Sequence, residues 1–243
     1  MTEHARATGA VVDFITQTRW PDFPSEAVAL AKRCVIDGIG VTLAGSTTRG
    51  SRMLRDYIRS SDETPDATII APETFRASAA SAALANGASG HAMDFDDTQL
   101  SSSADRIFGL LTHPTLPPLA AGLAIAERRR VSGTQFLEAF LVGFEVECKI
   151  AEAIHPNHYQ RGFHSSGTLG TFGAPATAAK LLGLDASATS HPIAIAGSMS
   201  SGIRVNFGTM TKPLHVGRAA QNGVVAAELA SRGFTGAADG LAG

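Results

Sequence analysis

A lysine, a histidine and an arginine stand close together in Gly208-Thr-Met-Thr-Lys-Pro-Leu-His-Val-Gly-Arg-Ala-Ala220, punctuated by glycines and a proline. Pro213 biases the residue before it towards extended or turned backbone, so Lys212 is expected to project from a fixed loop just ahead of a helix that carries Arg218. A lysine held in a cleft is the point charge that a carboxylate-rich ligand needs. Two other segments concentrate titratable groups: His91-Ala-Met-Asp-Phe-Asp-Asp-Thr98 and Tyr159-Gln-Arg-Gly-Phe-His-Ser-Ser-Gly-Thr-Leu-Gly-Thr-Phe-Gly173.

In the first of these, Asp94, Asp96 and Asp97 cannot all face one point of a helix, because adjacent positions diverge by about 100°. One or two are expected to face inward. The residues themselves leave three readings open: solvated acids at a helix C-terminus, a divalent-metal site made by the three aspartates, or carboxylates lining a pocket. His113 lies in Thr112-His-Pro-Thr-Leu-Pro-Pro118, where Pro114 and Pro117 stiffen a loop that would hold its imidazole, although alone it reads as a capping or surface histidine. His164 is expected at the opening of a helix, whose unpaired first amides favour anions. Gly167, Gly170 and Gly173 lack the preceding apolar strand and the following Lys-Ser/Thr of a phosphate-binding loop, so they read as sites of close helix packing. His155 and His158 read as surface or capping residues.

No zinc spacing, H-E-x-x-H, iron-sulfur cysteine set, G-x-S-x-G or dinucleotide fingerprint is present in the sequence, so the chemistry is expected to need neither metal nor cofactor. Proton transfer and positive electrostatics then fall to histidine and lysine.

The elements that must hold these groups are helical. From Ser25, Val28, Ala31, Val35 and Ile39 recur at steps of three or four up to a glycine stop at Gly45. Positions 77–93 form a helix of small residues suited to close packing. Ser132-Gly-Thr-Gln135 fits a capping box ahead of a helix faced by Leu137, Phe140, Leu141 and Phe144. A further helix over 171–182 stops at Gly183, Asp185 caps the next, and Pro192 should kink or delay that one. A last helix runs from Pro213 to Arg232. Ala67-Thr-Ile-Ile70 is strand-like but isolated, and Ser101 to Ser103 belongs to a loop. The expected fold is therefore mostly α and multihelical, a single domain over residues 1–243.

With 243 residues, 44% hydrophobic and 17% charged, the chain can bury a substantial core and has apolar surface to share with a second copy, so a homodimer is expected. A net charge of −2 without a long basic run disfavours nucleic acid, and Arg128-Arg-Arg130 fits a helix C-terminus. Cys34 and Cys148 are far apart and read as buried thiols. Neither a signal design at the N-terminus nor an apolar run of about 18 residues is present, so a soluble, cytoplasmic protein with no membrane contact is expected.

The three motifs, in this order, resemble the MmgE/PrpD family, the group of 2-methylcitrate dehydratase, cis-aconitate decarboxylase and iminodisuccinate epimerase. The likeness runs from Ile36-Asp-Gly-Ile-Gly-Val-Thr-Leu-Ala-Gly45 to Gly233-Phe-Thr-Gly236 and implies the family's N-terminal helical domain. It also implies a metal-free site in which Asp94 and Thr98 orient the ligand, His113 and His164 transfer protons, and Lys212 binds carboxylate and stabilises developing charge. Arg161 and His215 are expected to add substrate contacts. The gap from Gln99 to Thr112 is longer than in typical members. The expected activity is a lyase acting on a small di- or tricarboxylate, with 2-methylcitrate-like loss of water first, and decarboxylation or epimerisation in the same pocket as the alternatives. The family's smaller α+β lid, with a further histidine, would lie beyond Gly243. Completion by a separate lid-bearing chain is one expectation, and a non-catalytic helical dimerisation module is the reading from a different class.

Overall fold

The computed structural model describes residues 3–61, 64–99 and 111–241. The expected loop at Ser101 to Ser103, and most of the long gap after Gln99, lie outside the described residues. The described chain is helical apart from one short hairpin. In order it forms α1 (Glu3–Gln17), α2 (Ser25–Gly45), α3 (Arg49–Arg59), β1 (Ala67–Ile69), β2 (Phe75–Ala77) and α4 (Ala79–Gly90). It continues with α5 (Leu116–Arg129), α6 (Gly133–Ile154), the single turns α7 (Asn157–Gln160) and α8 (Ser165–Thr168), α9 (Gly170–Leu182), α10 (Ala186–Met199) and α11 (Thr211–Ser231).

Four helices, α4, α5, α9 and α11, pack on one another as the centre, and α2, α3, α6, α10 and α1 cover them. The central helices are built from small residues: Ala79, Ala82, Ala83, Ala85, Ala174, Ala178 and Ala220 are all buried. With so little side chain between them, backbones touch. A Cβ added at Gly217 of α11 would stand 2.3 Å from the Leu84 carbonyl oxygen of α4, and one at Gly87 would stand 3.0 Å from the Cα of Gly217. The expected packing role of Gly167, Gly170 and Gly173 holds as well, since a Cβ at each would fall 2.4–2.9 Å from a neighbouring atom.

Local signals account for most helix ends. Ser132 and Gln135 form the expected capping box on α6, Asp185 caps α10 through the amide of Ala188, and Gly183 closes α9 in the left-handed conformation at φ 69°. Arg128 and Arg129 end α5 as anticipated, with Arg130 just beyond. Four expectations need correction. α10 starts at Ala186 and continues through Pro192, so its start is not delayed; Pro192 is buried, as are Thr189, Ile193 and Ala196, and packing outweighs the one lost hydrogen bond. α2 buries its small residues Ala31, Gly38, Thr42 and Gly45 and leaves Ile39 outside. Of the cysteines, Cys148 is buried and Cys34 only partly so. The strand at residues 67–69 is not isolated: it pairs antiparallel with 75–77, Thr68 opposite Arg76. Asn86 of α4 satisfies its edge, accepting from the amide of Ile70 at 2.9 Å and donating to the carbonyl of Thr68 at 2.9 Å. No described helix is long and apolar enough to cross a membrane.

Candidate active site

Five pieces of chain converge beside the N-terminus of α11. α4 ends at Gly90 with His91 as its C-cap, and the chain then turns rather than continuing as helix, with Asp94 in the left-handed region at φ 58°. That turn splits the three aspartates. Asp94 faces the cleft, Asp96 is buried beneath it, and Asp97 turns to the start of α5, where it accepts from the amide and hydroxyl of Thr115 at 3.3 and 2.9 Å. A metal held by Asp94, Asp96 and Asp97 together is thus not what the chain assembles.

The loop carrying His113 is pinned on every side. Thr112 donates to buried Glu147 of α6 at 2.8 Å and accepts from the amide of Gln99 at 3.0 Å, while the His113 amide donates to Ser166 at 2.9 Å. Across the cleft, residues 202–207 are stitched to 159–164. The amide of His164 donates to Gly202, that of Arg204 to Gly162, and the Arg204 guanidinium lies 3.8 Å over the Tyr159 ring. Lys212 emerges from the first turn of α11, not from a loop ahead of it as expected. Proline is well suited to a helix's first turn, where its missing N–H costs nothing.

The result is a cleft of about 280 Å³ lined by Asp94, Thr98, His113, His164, Ser166 and Lys212, with Leu111, Tyr159 and Phe207 as its apolar walls. Larger concavities of about 530 and 430 Å³ occur elsewhere, but no comparable set of facing histidine, lysine and carboxylate lines them.

Charges in the cleft are arranged in pairs. The Lys212 ammonium lies 2.6 Å from Asp94, and His113 has Nδ1 3.3 Å from Asp96 and Nε2 3.8 Å from Asp94. Burial opposes a charge on His113, but the contact with Asp96 and the charges of both aspartates outweigh it and raise its pKa above the usual histidine value. His164 goes the other way: burial, with the fields of His91, His215, Lys212 and His113, pushes it down to about 2. Burial also raises the Asp97 carboxyl to about 6 despite its bonds to Thr115. Two histidines of one cleft are therefore pushed in opposite directions, His113 up and His164 down, by their surroundings.

Of the residues singled out from sequence, Asp94, Thr98, His113, His164 and Lys212 come together. His215 does not line the cleft; it lies behind His164, Nδ1 to Nδ1 at 3.0 Å. Arg161 is exposed and does not line it either, and exposed Arg218 pairs with Gln221. His155 caps α6, and His158 bonds the Thr168 hydroxyl at 2.7 Å and stacks on Phe163. Residues given no role in the sequence reading are Tyr159, Ser166 and Phe207 in the walls, and His91, which pairs with Asp96, the inward-facing aspartate of the three, at 2.8 Å.

Ligand atoms of His91, Asp94, Asp96 and His113 lie within 4.8 Å of one another, close enough to surround a divalent cation. Lys212 and His113 already face the two aspartates, so an entering cation would have to displace both.

Comparison with known proteins matches residues 9–243 to the MmgE/PrpD N-terminal domain. The chain belongs to the MmgE/PrpD family. Among curated members of that family, it is 34% identical over 211 residues to cis-aconitate decarboxylase of Homo sapiens, covering 85% of this chain and 42% of the human protein. It is 29% identical to the cis-aconitate decarboxylase-like protein oryM of Aspergillus oryzae, covering 97% of this chain and 49% of that one. It is 28% identical to cis-aconitate decarboxylase of Aspergillus terreus, covering 93% and 46%. The chain thus spans under half the length of these MmgE/PrpD relatives. The mostly α fold is as the family resemblance implied.

Proposed function

We propose that this chain supplies the proton-donating and charge-stabilising groups of a lyase that decarboxylates a small tricarboxylate of the cis-aconitate type. The observation that carries this reading is one cleft in which a lysine and a raised-pKa histidine face each other across Asp94, in a chain similar to cis-aconitate decarboxylases. Loss of CO₂ from an unsaturated tricarboxylate leaves an electron pair that shifts through the neighbouring double bond onto a carbon beside a second carboxylate. That carbon must then be protonated. His113 is the donor: Asp96 lies on its Nδ1 side, while its Nε2 is too far from Asp94, at 3.8 Å, to be tied up in a hydrogen bond. Lys212 neutralises the carboxylate onto which negative charge spreads. Asp94 holds Lys212, and Thr98 and Ser166 offer hydroxyls to the remaining carboxylates.

Incubation with cis-aconitate in D₂O tests this. One CO₂ and one carbon-bound deuterium per turnover, followed by NMR, are expected. Tricarboxylate consumption without CO₂ would reject decarboxylation.

Dehydration of a hydroxy-tricarboxylate, placed first on motifs alone, is the second reading. It is favoured by the opposite shifts of His113 and His164, since elimination needs both an acid and a base. Water release from 2-methylcitrate is its assay.

A homodimer is also proposed. Ile36, Ile39 and Leu43 form an exposed apolar strip on α2, with Ile36 72% exposed. Such a strip suits a subunit contact. Ile36→Glu should convert a dimer to monomer in light scattering, and a parent that is itself monomeric would rule the contact out.

A further inference from the structure

The pair formed by His164 and His215 is not used by the mechanism above. Both rings are buried, at 2% and 8% exposure, and their Nδ1 atoms meet at 3.0 Å. A contact of that length between two ring nitrogens needs one hydrogen between them, because two lone pairs or two N–H groups would repel. Burial lowers the pKa of both, His164 further than His215, so both are neutral at pH 7. Two neutral imidazoles sharing one hydrogen must be opposite tautomers.

The surroundings fix the pair in place. Gly167 and Gly202 leave room for His215: a Cβ on Gly167 would stand 2.8 Å from the His215 Cβ, and one on Gly202 3.3 Å from its Cγ. His164 is held through its amide to Gly202, stacks on His91 at 5.4 Å and meets the Phe207 ring edge-on at 4.9 Å. With Nδ1 occupied by His215, Nε2 is the ring nitrogen left to serve the cleft that His164 lines. A carboxylate bound there would be repelled by a lone pair on that atom and attracted by an N–H.

We infer that His215 is a positioning residue: its Nδ1–H donates to Nδ1 of His164, which keeps His164 as the Nε2–H tautomer and makes it a neutral hydrogen-bond donor to a carboxylate of the bound acid. The direction of the bond rests on the tricarboxylate reading. The pairing rests on geometry alone. A neutral donor is useful beside Lys212 and His113, since it holds an anionic oxygen without adding a third positive charge to a crowded cleft. It also needs no proton of its own to leave, so His113 alone supplies the proton that reaches carbon.

The test uses protein labelled with ¹⁵N-histidine, with the His164 signals assigned from His164→Gln. In the parent, two-bond ¹H–¹⁵N correlations should show His164 bare at Nδ1 and protonated at Nε2, and His215 the reverse. His215→Phe should move the His164 nitrogens towards a mixture of tautomers. His215→Asn, whose amide can still donate at that position, should restore them. In parallel, kcat for the tricarboxylate should fall roughly tenfold in His215→Phe with KM changed less than about threefold, and recover in His215→Asn; this is less than the 10²–10³ lost when a donor is removed outright. A His164 carrying its proton on Nδ1 in the parent, or tautomers unmoved in His215→Phe, would overturn the inference. Failure to turn over any tricarboxylate would instead count against the proposed function, and the tautomer measurement would still stand.

Discussion

At the scale of single residues, the cleft sets side by side groups whose pKa values its surroundings push apart. Lys212→Met removes the one lysine that faces Asp94 and keeps most of the apolar stem. We expect a loss of about 10²-fold or more in kcat/KM, of the order found for a removed transition-state donor, and only partial recovery with Lys212→Arg; kinetics equal to the parent would end the assigned role. His113 must be a cation to act as donor, and its raised pKa extends that form to higher pH than an unperturbed imidazole would keep it. Activity should therefore hold on the acid side and fall as pH rises through that pKa. Asp96→Asn takes away the anion that raises it, so the alkaline limb of kcat/KM should move to lower pH. Lys212, His113, His164, Asp94 and Thr98 were legible because each sits in a short motif of unusual composition. His91 and Asp96 were not: they meet only because the chain leaves α4 at Gly90 and doubles back, and a three-aspartate run gives no sign of which acid turns inward. Tyr159 opened a noticed motif without any feature to mark it, and Phe207 reaches the cleft through a loop that Arg204 ties down.

At the scale of elements, the site depends on how closely α4 and α11 approach, since one ends in the Asp94 turn and the other begins with Lys212. Gly217→Ala places a methyl 2.3 Å from the Leu84 carbonyl oxygen, with no flexible side chain to give way. We expect a loss of about 1–3 kcal/mol, typical of overpacking, measured by denaturant unfolding, together with weakened turnover as the helices part. A variant as stable as the parent would show that the contact can relax. Helix positions were readable from caps and small-residue spacing. The hairpin was not, because β2 is only three residues long and the free edge of β1 is satisfied by Asn86 and Glu127, partners remote in sequence. The continuation of α10 through Pro192 was equally hidden, as local propensity is outweighed by burial around it.

At the scale of the whole molecule, stability should carry a pH signature from Glu147. Fully buried, with Oε1 accepting from Thr112, it has a pKa raised well above 4.5 by burial, despite that bond. The folded chain therefore keeps a proton that the unfolded chain loses above about pH 4.5, so stability falls as pH rises from there towards the folded pKa. Glu147→Gln removes this titration and keeps an oxygen for Thr112. Its Tm should match the parent near pH 5 and exceed it increasingly towards pH 8; a constant difference would mean that Glu147 is not held neutral. The start of α11 has a thermodynamic consequence of another kind. Its first turn holds no acid and Met210 gives it no side-chain cap, yet Lys212 sits at this positive pole of the helix, beside an Asp94 held at φ 58°. Like charge at a helix pole costs about 0.3–1 kcal/mol, and left-handed backbone on a side-chain-bearing residue adds to it. The pair with Asp94, itself largely exposed, offsets this only in part, which leaves local frustration: the fold gives up stability at a place where a polyanion would restore it. Because Lys212→Met removes both the pole charge and its pair with Asp94, it should melt within about two degrees of the parent while turning over less. A tricarboxylate should raise the parent's Tm most at low ionic strength and raise that of the methionine variant little at any.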